Sequence, residues 1–188
     1  MAILVVIAQS CSVTRELSGE VSVGKSSIYG ESDSWQDPVG FQVGVVAPIK
    51  NFNESISLRG ELNFSAQGAA WEESILGSSI SGKVSLFYIM APFVARYQTK
   101  SGFFGEAGLQ PGILLSAKDK YSGHSDNYKE YVNTFDLGIP LGVGYEFKNN
   151  IGIGIRVIPG ITNINKEDSA KDRNLLALLR ATYTFKLK

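Results

Sequence analysis

The chain has 188 residues, a length for one or at most two domains. Eighteen basic residues balance eighteen acidic ones and only 19% of the chain is charged, which argues against a strongly basic nucleic-acid binder, while 44% hydrophobic content argues against an acidic disordered chain. One cysteine and one histidine exclude an intramolecular disulfide framework and cysteine-rich or multi-histidine metal sites, so neither a cofactor nor a metal is expected.

The chain opens on an unbroken apolar run, Ala2 to Ala8, followed by Gln9, Ser10 and Cys11. This has the character of the apolar part of a secretory signal with a small-residue exit, although the usual Lys/Arg-rich opening is missing. Cys11 is either a lipidation site or an unpaired residue before the fold. Ala8 stands three places before it, where a lipobox usually has Leu. The run is too short to span a bilayer as a helix, and no other segment approaches the length, so a membrane form of this protein must cross as strands. Residues 1–16 are read as a signal-like segment and 17–188 as one β-barrel domain.

From residue 17 onward the dominant period is two, the signature of strands. The first two strands are about Leu17–Lys25 and Gly40–Ile49. In the third, Ile56, Leu58, Leu62 and Phe64 oppose Ser57, Arg59, Glu61, Asn63 and Ser65. The fourth spans about Val84–Thr99, and its phase is ambiguous: placing Arg96 on the polar face puts Pro92 and Val94 there too. The fifth spans about Gly102–Ala117, with Ala107, Leu109, Ile113 and Leu115 opposing Glu106, Gly108, Gln110, Gly112 and Ser116. The sixth is the clearest. Between Phe135 and Phe147, seven odd-numbered apolar residues oppose Asp136, Gly138, Pro140, Gly142, Gly144 and Glu146. In the seventh, Ile151, Ile153, Ile155 and Val157 oppose Gly152, Gly154 and Arg156. In the last, Leu175–Leu187, the polar face carries Arg180, Thr182, Thr184 and Lys186, with Leu176 and Leu178 out of pattern. Pro92, Pro111 and Pro140 each cost a ladder hydrogen bond unless they sit at a bulge.

Eight strands are separated alternately by long segments (26–39, 66–83, 118–134, 162–173) and short ones (50–55, 100–101, 148–150). This alternation predicts an all-β, eight-stranded antiparallel up-and-down transmembrane β-barrel, with short turns at one rim and long loops at the other. Charge placement then orients the faces. The polar face carries charge and a concentration of glycine, whereas the opposite face of the last three strands carries no charge. A narrow interior needs small residues beside long paired ones. A charge on a barrel's lipid face costs about 2–4 kcal/mol at mid-bilayer. The charged face is therefore expected inside and the apolar face against lipid. Tyr97, Phe103, Tyr145, Phe147, Tyr183 and Phe185 would form an aromatic belt at the short-turn end, with Phe64 and Phe135 at the other.

Several stretches resemble the PorT-type outer-membrane β-barrel family of Gram-negative bacteria. They are Tyr88 to Tyr97, Gly102 to Lys118, Phe135 to Phe147, Ile151 to Asn165 and the closing Arg180 to Phe185. The resemblance covers roughly residues 17–185. Ala91-Pro92 replaces the family's usual Ile-Pro step, and Lys186, Leu187 and Lys188 follow the terminal aromatic. The resemblance implies the fold, the outer membrane and lipid as its surroundings, but no particular activity.

An eight-stranded barrel is just wide enough for side chains to fill. The expected interior network is Glu20, Arg59, Glu61, Arg96, Glu106, Asp136, Glu146, Arg156 and Arg180, paired because single buried charges are costly. Hairpin counting places Arg156 near Gly142, between Asp136 and Glu146. No catalytic residue is expected. The favoured reading is a non-enzymatic, plugged outer-membrane barrel whose long loops serve a structural, adhesion, interaction or assembly-accessory role, meeting cell-envelope or extracellular proteins but no nucleic acid. Two alternatives stand beside it: a lipid-modifying hydrolase or acyltransferase using His124, and a soluble barrel binding an apolar ligand. The mixed charges around Glu167, Asp168 and Asp172 suit an exposed loop tip.

Overall fold

The computed structural model describes residues 16–30, 35–36, 38–75, 78–121, 124–127, 129–166 and 171–186. Residues 1–15 of the signal-like segment, with Cys11, and Glu167 and Asp168 lie outside them, while Glu16 already belongs to the first strand. Eight strands form the wall: β1 (Glu16–Tyr29), β2 (Val39–Asn51), β3 (Ile56–Ile75), β4 (Ser78–Met90 continuing as Phe93–Gln98), β5 (Phe103–Tyr121), β6 (Phe135–Gly138 continuing as Leu141–Glu146), β7 (Ile151–Pro159) and β8 (Arg173–Lys186). Each pairs antiparallel with its sequence neighbour, and β8 returns to β1 in an unbroken register from Glu16↔Lys186 to Tyr29↔Arg173. The barrel is closed, so the wall has no free sheet edge along this seam.

The interruptions in β4 and β6 fall at Ala91-Pro92 and Ile139-Pro140. A proline supplies no N–H to the ladder, so the strand is broken there without being redirected. Pro111 is accommodated differently, inside β5 opposite Leu137. Pro92, Val94 and Arg96 all point inward, which settles the ambiguous phase of β4. A bulge between Phe87 and Tyr88, opposite Leu114–Ser116, shifts the inward set on β5 from Leu114 to Ala117.

The strands run further than hydropathy alone indicates. β3 and β4 remain paired up to Ile75↔Ser78, so most of 66–83 is hairpin and not loop. A short strand, His124–Asn127, folds back on β5 within the 118–134 segment, and Trp35–Gln36 pairs with β3. Beyond the lipid belt both faces of a strand are wet, so the apolar–polar alternation fades while the backbone ladder continues.

The outer face is an apolar band. Val21, Val43, Leu109, Leu141, Ile155 and Leu179 are each about half exposed. Aromatic side chains edge it. At the short-turn rim Tyr145 packs edge-on against Phe103 and Phe147, and Tyr183 against Phe185, with centroids 4.8–4.9 Å apart. Towards the other rim Phe41, Phe64 and Phe87 form a row across three strands, with centroids 6.2 and 5.9 Å apart.

Candidate functional site

The interior is built in layers. Nearest the short turns, eight charged side chains converge. Arg156 reaches across the lumen, Nη1 donating to Glu61 Oε2 at 2.6 Å and Nη2 to Glu61 Oε1 at 2.8 Å, while its Nε donates to Glu106 Oε1 at 3.0 Å. Arg180 donates from Nε to Glu20 Oε2 at 2.8 Å, from Nη1 to Glu106 at 3.0 Å and from Nη2 to Glu61 at 2.9 Å. Arg96 donates from Nη2 to Glu106 Oε2 at 2.8 Å and from Nη1 to Glu146 at 3.2 Å. Arg59 lies 4.0 Å from Glu146, and these two are the more exposed members, at 22% and 24%. Four guanidinium groups thus face four carboxylates and the formal charge cancels. Arginine suits this arrangement because its planar fork presents five donors to several acceptors at once.

Glycine makes the space. Gly144 and Gly154 lie directly opposite each other on β6 and β7. A Cβ at Gly144 would sit 2.5 Å from the Phe104 ring, and one at Gly154 would sit 3.4 Å from it. The ring therefore rests on bare backbone, and the Arg96 guanidinium stacks on it with Cζ 3.8 Å from the centroid. This cation–π contact orients Arg96 towards both of its acids.

All nine residues expected in the lumen point into it, but the partners differ from expectation in two places. Arg156 does sit opposite Gly142, yet it pairs with Glu61 and Glu106 and not with Asp136 or Glu146. In so narrow a barrel, groups facing across the lumen are closer than groups displaced along one neighbouring strand. Asp136 stands apart from the arginines altogether. It accepts from Thr162 Oγ1 at 2.7 Å and Asn174 Nδ2 at 3.0 Å. Proline-interrupted residues 139–140 separate it from the lower part of β6.

Above the charges comes a polar layer. Gln42 and Gln67 both donate to Ser65 Oγ, at 3.2 and 3.0 Å, and Asn63 donates to Glu61. Above that the lumen turns apolar: Val84, Leu86, Tyr88, Met90, Leu114, Ala117 and Val132 form one buried cluster. Ile158, Leu176 and Leu178 form a second, and Ile28, Ala69 and Ile164 a third. Leu176 and Leu178, out of pattern in the sequence, thus belong to this upper interior. Val132 and Ile164 come from the connecting segments. They are held there by Asn133, whose side chain donates to the carbonyls of Asn163 and Asn165 at 3.0 and 2.9 Å. At the opposite rim a small cleft of about 40 Å³ opens beside Glu16, Ser18, Arg59 and Glu146.

An apolar exterior around a charged lumen is the inverse of a soluble barrel, and residues 8–166 match the family model described as outer membrane protein beta-barrel domain. The chain belongs to that family. It is an outer-membrane protein, which overturns the soluble-barrel alternative. Neisserial surface protein A is similar in fold, with a TM-score of 0.60 at 14% identity over 94% of this chain and 99% of that one. OprG from Pseudomonas aeruginosa is similar with a TM-score of 0.50 at 10% identity over 94% and 98%. At such identities the likeness is one of fold. No curated protein matches the chain.

His124 lies on the short strand beside β5, paired with Tyr121, and its side chain is exposed. It stands beyond the apolar band, outside the lumen. Among the described residues no cluster of His, Cys, Asp and Glu could hold a metal ion.

Proposed function

We propose that this outer-membrane barrel is not an enzyme, that its lumen is a permanent structural plug, and that its work is done at the long-loop rim as a structural, adhesion, interaction or assembly-accessory surface. The observation that carries this reading is the double filling of the lumen. A charge-neutral network occupies one half and an apolar core capped by Val132 and Ile164 occupies the other. A solute would have to break both. Lipid is the surrounding partner, and cell-envelope or extracellular proteins are the partners of the rim. The finer resemblance to PorT-type proteins, carried by Tyr88 to Tyr97 and Phe135 to Phe147, accords with a barrel of the outer membrane and names no activity.

Planar-bilayer recording tests the plug. The parent protein should give no steady conductance, and a reproducible ion-selective open state altered by Arg156→Ala would overturn it. Crosslinking in intact cells tests the rim: reagents anchored in the long-loop segments should capture partners that reagents at 148–150 do not. Partners captured equally from both rims would sink the assignment of function to the loops.

A further inference from the structure

Above the aromatic row on the outer wall, the face that met lipid becomes basic. Phe87 pairs with Ser116, Ser85 with Lys118, and Lys83 with Lys120. Lys83, Lys118 and Lys120 are all exposed, on one continuous outward face. The two cross-strand rows contain no acid. One reads Gly68, Ser85, Lys118, Asn127 and the other Ala70, Lys83, Lys120, Ser125. Asp119 and Asp126 lie opposite each other in the alternate register, and Glu72 stands in the next row, opposite Ser81. A fourth ammonium stands close by, with Lys129 Nζ donating to the Leu115 carbonyl at 3.0 Å.

Lys83 directly opposite Lys120 is an unfavourable like-charge pair on a sheet. The wall tolerates it best if an anion lies between them. The position says which kind. Lys118 is two residues past the aromatic row and Lys120 four, which is about 7 and 14 Å along a strand. At a tilt of about 40° they rise about 5 and 10 Å above the row, the depth of the headgroup layer outside the hydrocarbon. We propose that Lys83, Lys118 and Lys120 form a binding site for the phosphate groups of a membrane lipid headgroup, whose acyl chains lie along Phe87, Ile113 and Leu115 beneath. The argument needs only the lysines' height above the apolar band, and it stands whether or not the loops act as the rim surface proposed above.

Native mass spectrometry of the full chain refolded in dodecylmaltoside, titrated with diphosphoryl lipid A, tests the site. The parent should retain the lipid, and Lys83→Gln/Lys118→Gln/Lys120→Gln should weaken retention by about tenfold or more, basic residues at a membrane surface each contributing measurably. Lys100→Gln/Lys148→Gln, at the opposite rim, should bind as the parent does. Single Lys118→Gln should give a partial loss that Lys118→Arg restores, with folding of every variant checked by heat-modifiable gel migration. Diacylglycerol, which lacks phosphate, should not be retained. Unchanged retention by the triple variant, or an equal loss in the opposite-rim control, would overturn the proposal. So would full displacement by an equal concentration of inorganic phosphate, which would mark a free-anion site.

Discussion

The two halves of the lumen use opposite means to fill the same cylinder. Near the short turns, Arg96, Arg156 and Arg180 interlock with Glu20, Glu61 and Glu106, side chains drawn from six of the eight strands. Near the long loops, Leu86, Tyr88, Met90 and Leu114 pack as they would in a soluble core. The charged half is strong only as a set. Removing one member leaves the others buried without a counter-charge, whereas the apolar half loses stability in proportion to the volume removed. The charged half also lies beside the small cleft at its rim, while the apolar half is capped by residues 132 and 164 from the connecting segments. Water therefore has a shorter route to the charges than to the core above them.

This contrast can be broken most sharply at Arg156. Arg156→Ala strips donors from Glu61 and Glu106 together. It should destabilise the folded barrel by about 3–5 kcal/mol in urea titrations in detergent, less if water enters from the cleft. A loss near zero would mean that the network is hydrated and not a dry plug. The matching change in the apolar half is Leu176→Ala. It should cost about 2–5 kcal/mol from transfer and cavity terms, and adding salt should leave that cost unchanged. A cost of Arg156→Ala that falls at high salt would mean that water and ions reach the network from the cleft.

Turning the comparison from inside to outside, Leu141→Arg places a charge on the lipid face of β6. It should lower stability in lipid by about 2–4 kcal/mol near the midplane. Folding as efficient as the parent's in both detergent and vesicles would contradict the face assignment. Its inward neighbour should respond by a different mechanism. A Cβ at Gly142 would lie 3.0 Å from Glu106 Cγ, so Gly142→Ala should cost about 1–3 kcal/mol through overpacking. Displacement of Glu106 should make that cost non-additive with Arg156→Ala in a double-mutant cycle. Topology carries the smallest energetic signature. With Cys11 replaced, an impermeant thiol reagent on whole cells should label a cysteine at Ser125 and spare one at Asn149, because long loops face outward in this class. Equal labelling of both would reverse or void the orientation.

The charged half was the more legible in sequence, for a physical reason. A charge on one face of a strand whose other face is uniformly apolar has a single sensible destination, so Glu61, Glu106, Arg156 and Arg180 could be placed inward from period alone. The apolar half carried no such signal. Leu176 and Leu178 are apolar on both sides of the alternation, and Val132 and Ile164 lie in segments without strand periodicity. An apolar residue facing inward reads the same as one facing lipid.

Sequence by itself determined the strand count, the up-and-down order and the direction of the charged face, because each follows from local period and backbone chemistry. Tertiary structure alone decided who pairs with whom. Arg156 meets Glu61 at a sequence separation of 95 and Arg180 meets Glu20 at 160, distances that only closure of the barrel abolishes. It also decided that Asp136 is held by Thr162 and Asn174 and not by an arginine, and that Phe104 rests on Gly144 and Gly154. Those contacts depend on curvature and stagger around the whole ring, to which neighbours along the chain are blind.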